Sequence, residues 1–131
     1  MKITRINHAA VNVTGKIAEA KAFYTDLLGL TQVPIQLPGG PPVTDSEFGF
    51  WVEERGVQLH VIAREAMGGT PDPTQNHVSW YVEDIEAAAS KLEEHGLSTR
   101  VMGEGRTRIL WVLDPAGNIM EFQQDPDFAP V

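Results

Sequence analysis

Four side chains able to hold a metal ion recur along the chain at repeating positions. Asn7-His8 and Asn76-His77 open two similar apolar stretches, with their histidines 69 positions apart (77 − 8). His60 and Glu121 lie in two later stretches related by 61 positions (121 − 60), the offset that also relates Gly56 to Gly117 (117 − 56). At that offset Leu59 falls on Met120 and Val61 on Phe122. A ligand-type residue in two equivalent slots of each half is a more specific signal than any lone histidine. The chain has no cysteine. Thiolate ligands, disulfides and a thiol nucleophile are therefore excluded, and a metal must sit on imidazole nitrogen and carboxylate oxygen. Such donors suit Zn, Ni, Fe, Mn or Co. Tetrahedral zinc on all four would be a closed, structural site, whereas catalysis needs coordination positions left for substrate.

The elements that must position these residues repeat as well, which marks a duplicated half-domain. The first module spans about 1–62, a connector rich in glycine and proline about 63–75, the second module about 76–124, and a loose tail 125–131. In the first module, alternation from Ile3 to Val13 predicts a strand. Apolar spacing through Ile17, Ala20, Phe23, Tyr24, Leu27 and Leu28 predicts a helix from Lys16 to Leu28, closed by Gly29. Leu30 to Gln36 reads as a strand, and 47–53 with 57–62 as a hairpin around Glu54-Arg55-Gly56. The second module repeats the order. A strand from Asn76 to Val82 precedes a helix from Asp84 to His95, which ends at Gly96. A strand from Thr99 to Met102 is followed by a hairpin of 107–113 and 118–123 around Asp114-Pro115-Ala116-Gly117.

The two-residue period of strands then sorts the faces. His8 shares a face with Ile6, Ala10 and Asn12; His77 with Ser79 and Tyr81; His60 with Gln58 and Ile62; Glu121 with Ile119 and Gln123. The opposite faces are apolar, with Val11, Val13, Leu59, Val61, Val78, Trp80, Val82, Met120 and Phe122. A sheet with helices on its apolar face and a cavity on the other satisfies all four patterns, an α+β arrangement. Asn12, Gln58, Ser79, Tyr81 and Gln123, with Trp111 as an aromatic wall, are candidate pocket residues. Arg106 and Arg108, after the glycine-rich stretch 103–105, read as surface charge or as anchors for an acidic substrate.

At 131 residues the chain is one domain's worth, with ordinary hydrophobic content of 42%. The absence of any run of 18 apolar residues predicts no membrane span, and strand-like sequence near residue 3 predicts no signal peptide. A net charge of −8 argues against a nucleic-acid partner, which would need a basic face. The expected partner is a small-molecule substrate and the expected compartment the cytoplasm.

Asn7-His8 through Val13, Phe23-Tyr24-x-x-Leu27-Leu28-Gly29-Leu30, Gln58-Leu59-His60-Val61, His77 through Ile85, and Asp114-Pro115-x-Gly117-Asn118-x-x-Glu121 together resemble the vicinal oxygen chelate superfamily. That superfamily includes glyoxalase I, fosfomycin-resistance thiol transferases, bleomycin-binding proteins and extradiol dioxygenases. The resemblance implies two βαβββ modules in pseudo-two-fold repeat, forming a cupped mixed sheet around one divalent metal, with helices outside. It implies ligands at His8, His60, His77 and Glu121, and a proton-shuttling role for Glu121. The activity it implies is that of a glyoxalase-like lyase or isomerase; an Fe(II) extradiol dioxygenase or a non-catalytic binding protein are the alternatives. Lyase members carry Glu or Gln in the slot of His60, and fosfomycin transferases carry Thr in the slot of Ala10. Single-domain members of this length are commonly homodimers, so sites shared between two chains are expected.

Overall fold

The computed structural model describes residues 1–35, 37–43 and 46–128. Strand β1 (Ile3–Asn12) leads to helix α1 (Ile17–Lys21), which continues as a π-helical segment, Ala22–Leu27. Strands β2 (Thr31–Val33), β3 (Gly49–Glu54) and β4 (Val57–Ile62) complete the first module. The second contains β5 (His77–Val82), α2 (Ile85–Glu94), β6 (Arg100–Met102), a 3-10 turn (Gly105–Thr107), β7 (Ile109–Leu113) and β8 (Ile119–Gln124). The strands form one mixed sheet in the order β2-β3-β4-β1-β5-β8-β7-β6. Each module pairs its first and last strands in parallel, β1 with β4 and β5 with β8, and the modules join through the antiparallel β1–β5 pair. The duplicated cupped sheet expected from the sequence is therefore the fold.

Each module buries its own core on the helix face. In the first, Ala20 packs with Phe50, Val52 and Val61, and with Val11, Ile17, Tyr24 and Leu59 around them. In the second, Ile85, Ala88 and Leu92 of α2 pack on Val82, Leu110, Val112 and Phe122. Those helix positions recur at three and four residues, so one face meets the sheet. Helix α2 starts where the Asp84 carboxylate accepts from the amides of Glu86 and Ala87, at 3.0 and 3.2 Å. Both module helices end at a glycine with positive φ, Gly29 at 72° and Gly96 at 70°, a conformation that disfavours a Cβ.

Several expectations need correction. The first helix is not α-helical to Leu28. The Thr25 hydroxyl donates to the carbonyl of Lys21 at 2.6 Å, where the backbone ladder would bond, and Leu28 N reaches back five residues to Phe23 O. The wider turn leaves Phe23 and Leu27, expected on the buried face, 47% and 73% exposed. In β1 the register slips between Ile6 and His8, so Ile6 lies opposite Trp80 on the helix face while His8 lies opposite Ser79. A bulge of this kind reverses the alternation of the residues before it. The strand expected to reach Gln36 ends at Val33, and Gln36 itself lies outside the described residues.

The tail is not loose as far as Phe128; residues 129–131 lie outside the described residues. Asp125 is 2% exposed and accepts from the Thr4 hydroxyl at 2.6 Å and from the Arg5 guanidinium at 3.3 and 3.4 Å. Arg106 donates to the carbonyl of Phe128. Burial alone would raise the Asp125 pKa, but the bonds from Arg5 and Thr4 outweigh it and hold the carboxyl below its ordinary value. A depressed carboxylate stabilises the fold above its unfolded pKa, and that contribution disappears as pH falls through the folded value. Asp125→Asn is expected to lower stability at neutral pH by about 1–2 kcal/mol, discounted because Arg5 is half exposed. Its stability should also fall less than that of the native chain as pH drops from about 5 to 2. Urea denaturation across that range checks both, and parallel pH profiles would refute the assignment.

Candidate metal centre

The face opposite the helices is where the two modules meet. Pairing sets Ala10 beside His60 on one side and His77 on the other, and a second row runs from His8 through Ser79 and Glu121 to Trp111. Two imidazoles from the module openings and one carboxylate from β8 are thereby brought together. One ligand atom each from His8, His77 and Glu121 lie within 4.8 Å of one another, and all three residues are buried.

The contacts within this cluster fit a shared cation better than a closed hydrogen-bond network. His77 Nε2 stands 3.3 Å from Glu121 Oε1, and His8 Nε2 stands 3.5 Å from Oε2. Yet neither nitrogen makes a hydrogen bond of acceptable geometry, although both are fully buried. Unpartnered buried nitrogens are rare and need a cause. His77 Nδ1 lies 2.7 Å from the carbonyl of Gln75. That contact puts the proton on Nδ1 and leaves the Nε2 lone pair free for a metal.

Glu121 is gripped at both oxygens. The Trp111 indole donates to Oε1 and the Gln123 amide to Oε2, each at 2.9 Å. Burial pushes the Glu121 pKa up, but the close approach of His77 and the charges of His8 and His77 overcome it, so the group is held well below the carboxylate range. Burial pushes His8 down to about 4, with Glu121 opposing and His77 adding to the fall. For His77 burial also lowers the pKa, but the nearby Glu121 carboxylate and the carbonyl of Gln75 more than compensate, and the net direction is up. A proton on His77 Nε2 and a divalent cation would compete for the same lone pair.

His60 does not join the cluster. It stacks on Trp51, with ring centroids 4.5 Å apart and planes 12° apart, and its ring meets His8 edge-on at 5.8 Å. Burial, then the nearness of His8, push its pKa down to about 3, so it stands as a neutral imidazole in the wall. His8, His60, His77, Glu121, Trp111 and Gln123 all line a cavity of about 330 Å³.

Other expected pocket residues turn elsewhere. Asn12 donates to the carbonyls of Arg64 and Thr74, binding the connector to β1. Gln58 donates to Glu53, and the Tyr81 ring lies 4.5 Å beneath the Arg5 guanidinium. Arg106 is occupied by Phe128, and Arg108 lies 3.6 Å from Glu86. Ser79 is fully buried under the cluster rather than in the cavity wall. Trp51, which the sequence did not single out for the pocket, is a cavity wall. Its register opposite His60 is the signal that could have found it.

The family model described as Glyoxalase/Bleomycin resistance protein/Dioxygenase superfamily matches residues 5–122. A protein of Arabidopsis thaliana named Glyoxylase I 4 is 26% identical over 130 residues, covering 92% of this chain and 71% of that protein. A hypothetical protein from Bacillus halodurans superposes with a TM-score of 0.64 at 17% identity, over 97% of this chain and 98% of that one. Methylmalonyl-CoA epimerase from Mycobacterium tuberculosis gives 0.61 at 15% identity, over 95% and 91%. A variant of homoprotocatechuate 2,3-dioxygenase from Brevibacterium fuscum gives 0.63 at 21%, over 95% of this chain but 33% of the larger enzyme.

The grip on Glu121 generates a prediction. Partners that orient a metal-binding carboxylate typically affect affinity by about 10–100-fold. Trp111→Phe and Gln123→Leu are each expected to weaken divalent-metal binding within that range, measured by competition with a chelating dye. Unchanged affinity in both would show that these bonds do not position the carboxylate.

Proposed function

The chain belongs to the glyoxalase/bleomycin resistance protein/dioxygenase superfamily. On that premise we propose that it is a divalent-metal-dependent enzyme of the glyoxalase-like kind. In this reading it is a lyase or isomerase acting on a small oxygen-rich substrate bound through two vicinal oxygens. The observation that carries the reading is the buried convergence of His8, His77 and Glu121, with imidazole nitrogens left unpartnered beside a carboxylate. These three residues would hold the metal, and the metal would supply Lewis acidity to the paired oxygens. Glu121, bonded at both oxygens, serves better as a fixed ligand than as a migrating base. His60 faces the same cavity and lies outside the ligand set. Burial and the nearby His8 hold it neutral, so it would serve as a hydrogen-bonding wall group rather than as an efficient base, whose pKa would have to lie nearer the working pH.

One observation favours a second reading, a ring-cleaving dioxygenase. With His60 set apart, the remaining two histidines and one carboxylate are the donor set of non-haem Fe(II) oxygenases.

Metal analysis tests the proposal. Protein purified without a histidine tag and dialysed is expected to retain close to one equivalent of divalent metal, or to gain thermal stability when Zn, Ni, Mn or Fe(II) is added. Less than about a tenth of an equivalent with no thermal shift would sink it, since a ligand of the native state must raise stability by mass action. Turnover of a hemithioacetal supports the glyoxalase-like reading, and oxygen uptake with catechols under Fe(II) supports the second.

Assembly is part of the same reading. One chain already brings all three ligands together, and Asn12 and Arg100 hold its connector at Arg64, Gly68, Pro71 and Thr74. We therefore expect each site to close within its own chain. A homodimer that shares sites would have to make the β1–β5 contact between chains. Mixing His8→Ala with Glu121→Ala under subunit exchange is expected to restore no metal binding. Recovery to about half in the isolated heterodimer, or about a quarter of all sites in the randomly exchanged mixture, would establish the shared-site homodimer instead.

A further inference from the structure

The rest of the cavity carries information about what is attached to the vicinal oxygens. From the cluster outward the wall is apolar, through Ile35, Ile62, Trp51 and Ile109. At the mouth it ends in Leu37, Val43, Phe48, Met67 and Met102, all exposed to solvent. Single exposed apolar residues are ordinary, but five of them lining one cavity mark a candidate ligand surface.

Cations are scarce there. Among the described residues lining the cavity, Arg64 is the one arginine or lysine, and its guanidinium rests 5.6 Å from the Phe48 ring centroid. The arginines that sequence suggested for an acidic substrate are committed to Phe128 and Glu86. A net charge of −8 further disfavours anionic ligands. The cavity's 330 Å³ holds about ten water-sized groups at roughly 30 Å³ each. That is room for a chelating head and a short apolar body.

Resting on the metal-site reading above, we propose that the substrate carries its vicinal oxygens on an uncharged alkyl or aryl body, which lies along this apolar wall and leaves through the Phe48–Met67–Met102 mouth. A charged thiol-peptide adduct is not the ligand this wall is built for.

A series from acetohydroxamate to hexanohydroxamate, which presents two adjacent oxygens on a lengthening chain, tests the proposal. Quenching of tryptophan fluorescence reports binding, since Trp51 and Trp111 line the cavity. Titrations use both the Zn(II)-loaded and the metal-free protein, with S-methylglutathione as the charged comparison. Affinity is expected to rise about three- to fourfold per added methylene in both forms, as buried methylenes require. Phe48→Asp should flatten that rise, and S-methylglutathione should bind more weakly than hexanohydroxamate to the metal-free protein. A flat series in both forms, an undiminished rise in Phe48→Asp, or tighter binding of S-methylglutathione would each overturn the inference. Failure of the metal-site reading would look different: acetohydroxamate would gain nothing from Zn(II), while the chain-length series still judged the apolar wall.

Discussion

The antiparallel contact between β1 and β5 is the constraint on which the rest depends. It joins two modules that each pair their own first and last strands, and it sets His8 opposite Ser79 and Ala10 opposite His77. Because side chains in a sheet alternate strictly, a slip of one residue in this pair would send one histidine to the helix face. The bulge before His8 shows how local the control is. Upstream of it Ile6 faces the other way, while downstream the parity that delivers His8 to the cluster is intact. Both buried cores reinforce that parity, since Val11 packs with the first and Trp80 and Val82 with the second.

Holding a carboxylate in such a place is costly unless its charge is answered. The fold answers it with fixed dipoles, the indole of Trp111 and the amide of Gln123, and with two imidazoles. The dipoles satisfy both oxygens without neutralising them. A buried negative charge beside unpartnered nitrogens is an arrangement that could hold a divalent cation.

Much of this was legible in the sequence, and the reason is periodicity. The repeat of Asn-His, the matching hairpins and the two-residue alternation placed His8, His77 and Glu121 on one face. The same patterns identified Leu59, Val61, Met120 and Phe122 as helix-facing. What escaped was decided by side-chain geometry rather than pattern. His60 shares the right face, but stacking on Trp51 keeps its nitrogens out of the cluster. Asn12, Gln58 and Tyr81 also have the right parity, yet local partners claim them before the cavity can. The π-helical stretch was hidden because one hydroxyl, that of Thr25, displaces a backbone bond. The bulge at the start of β1 leaves no mark in an alternation read one strand at a time.

The two cores do not merge. One belongs to α1 with β3 and β4, the other to α2 with β7 and β8, and no residue is shared between the buried sets. Mechanically the molecule is a pair of stiff plates joined by a backbone ladder, with the candidate site on the seam. Tilting one plate against the other bends the β1–β5 hydrogen bonds but leaves both apolar interiors packed. A change of tilt would thus alter the cleft without requiring either core to open. A ligand bridging His8 on one plate and Glu121 on the other would act as a rivet across the seam.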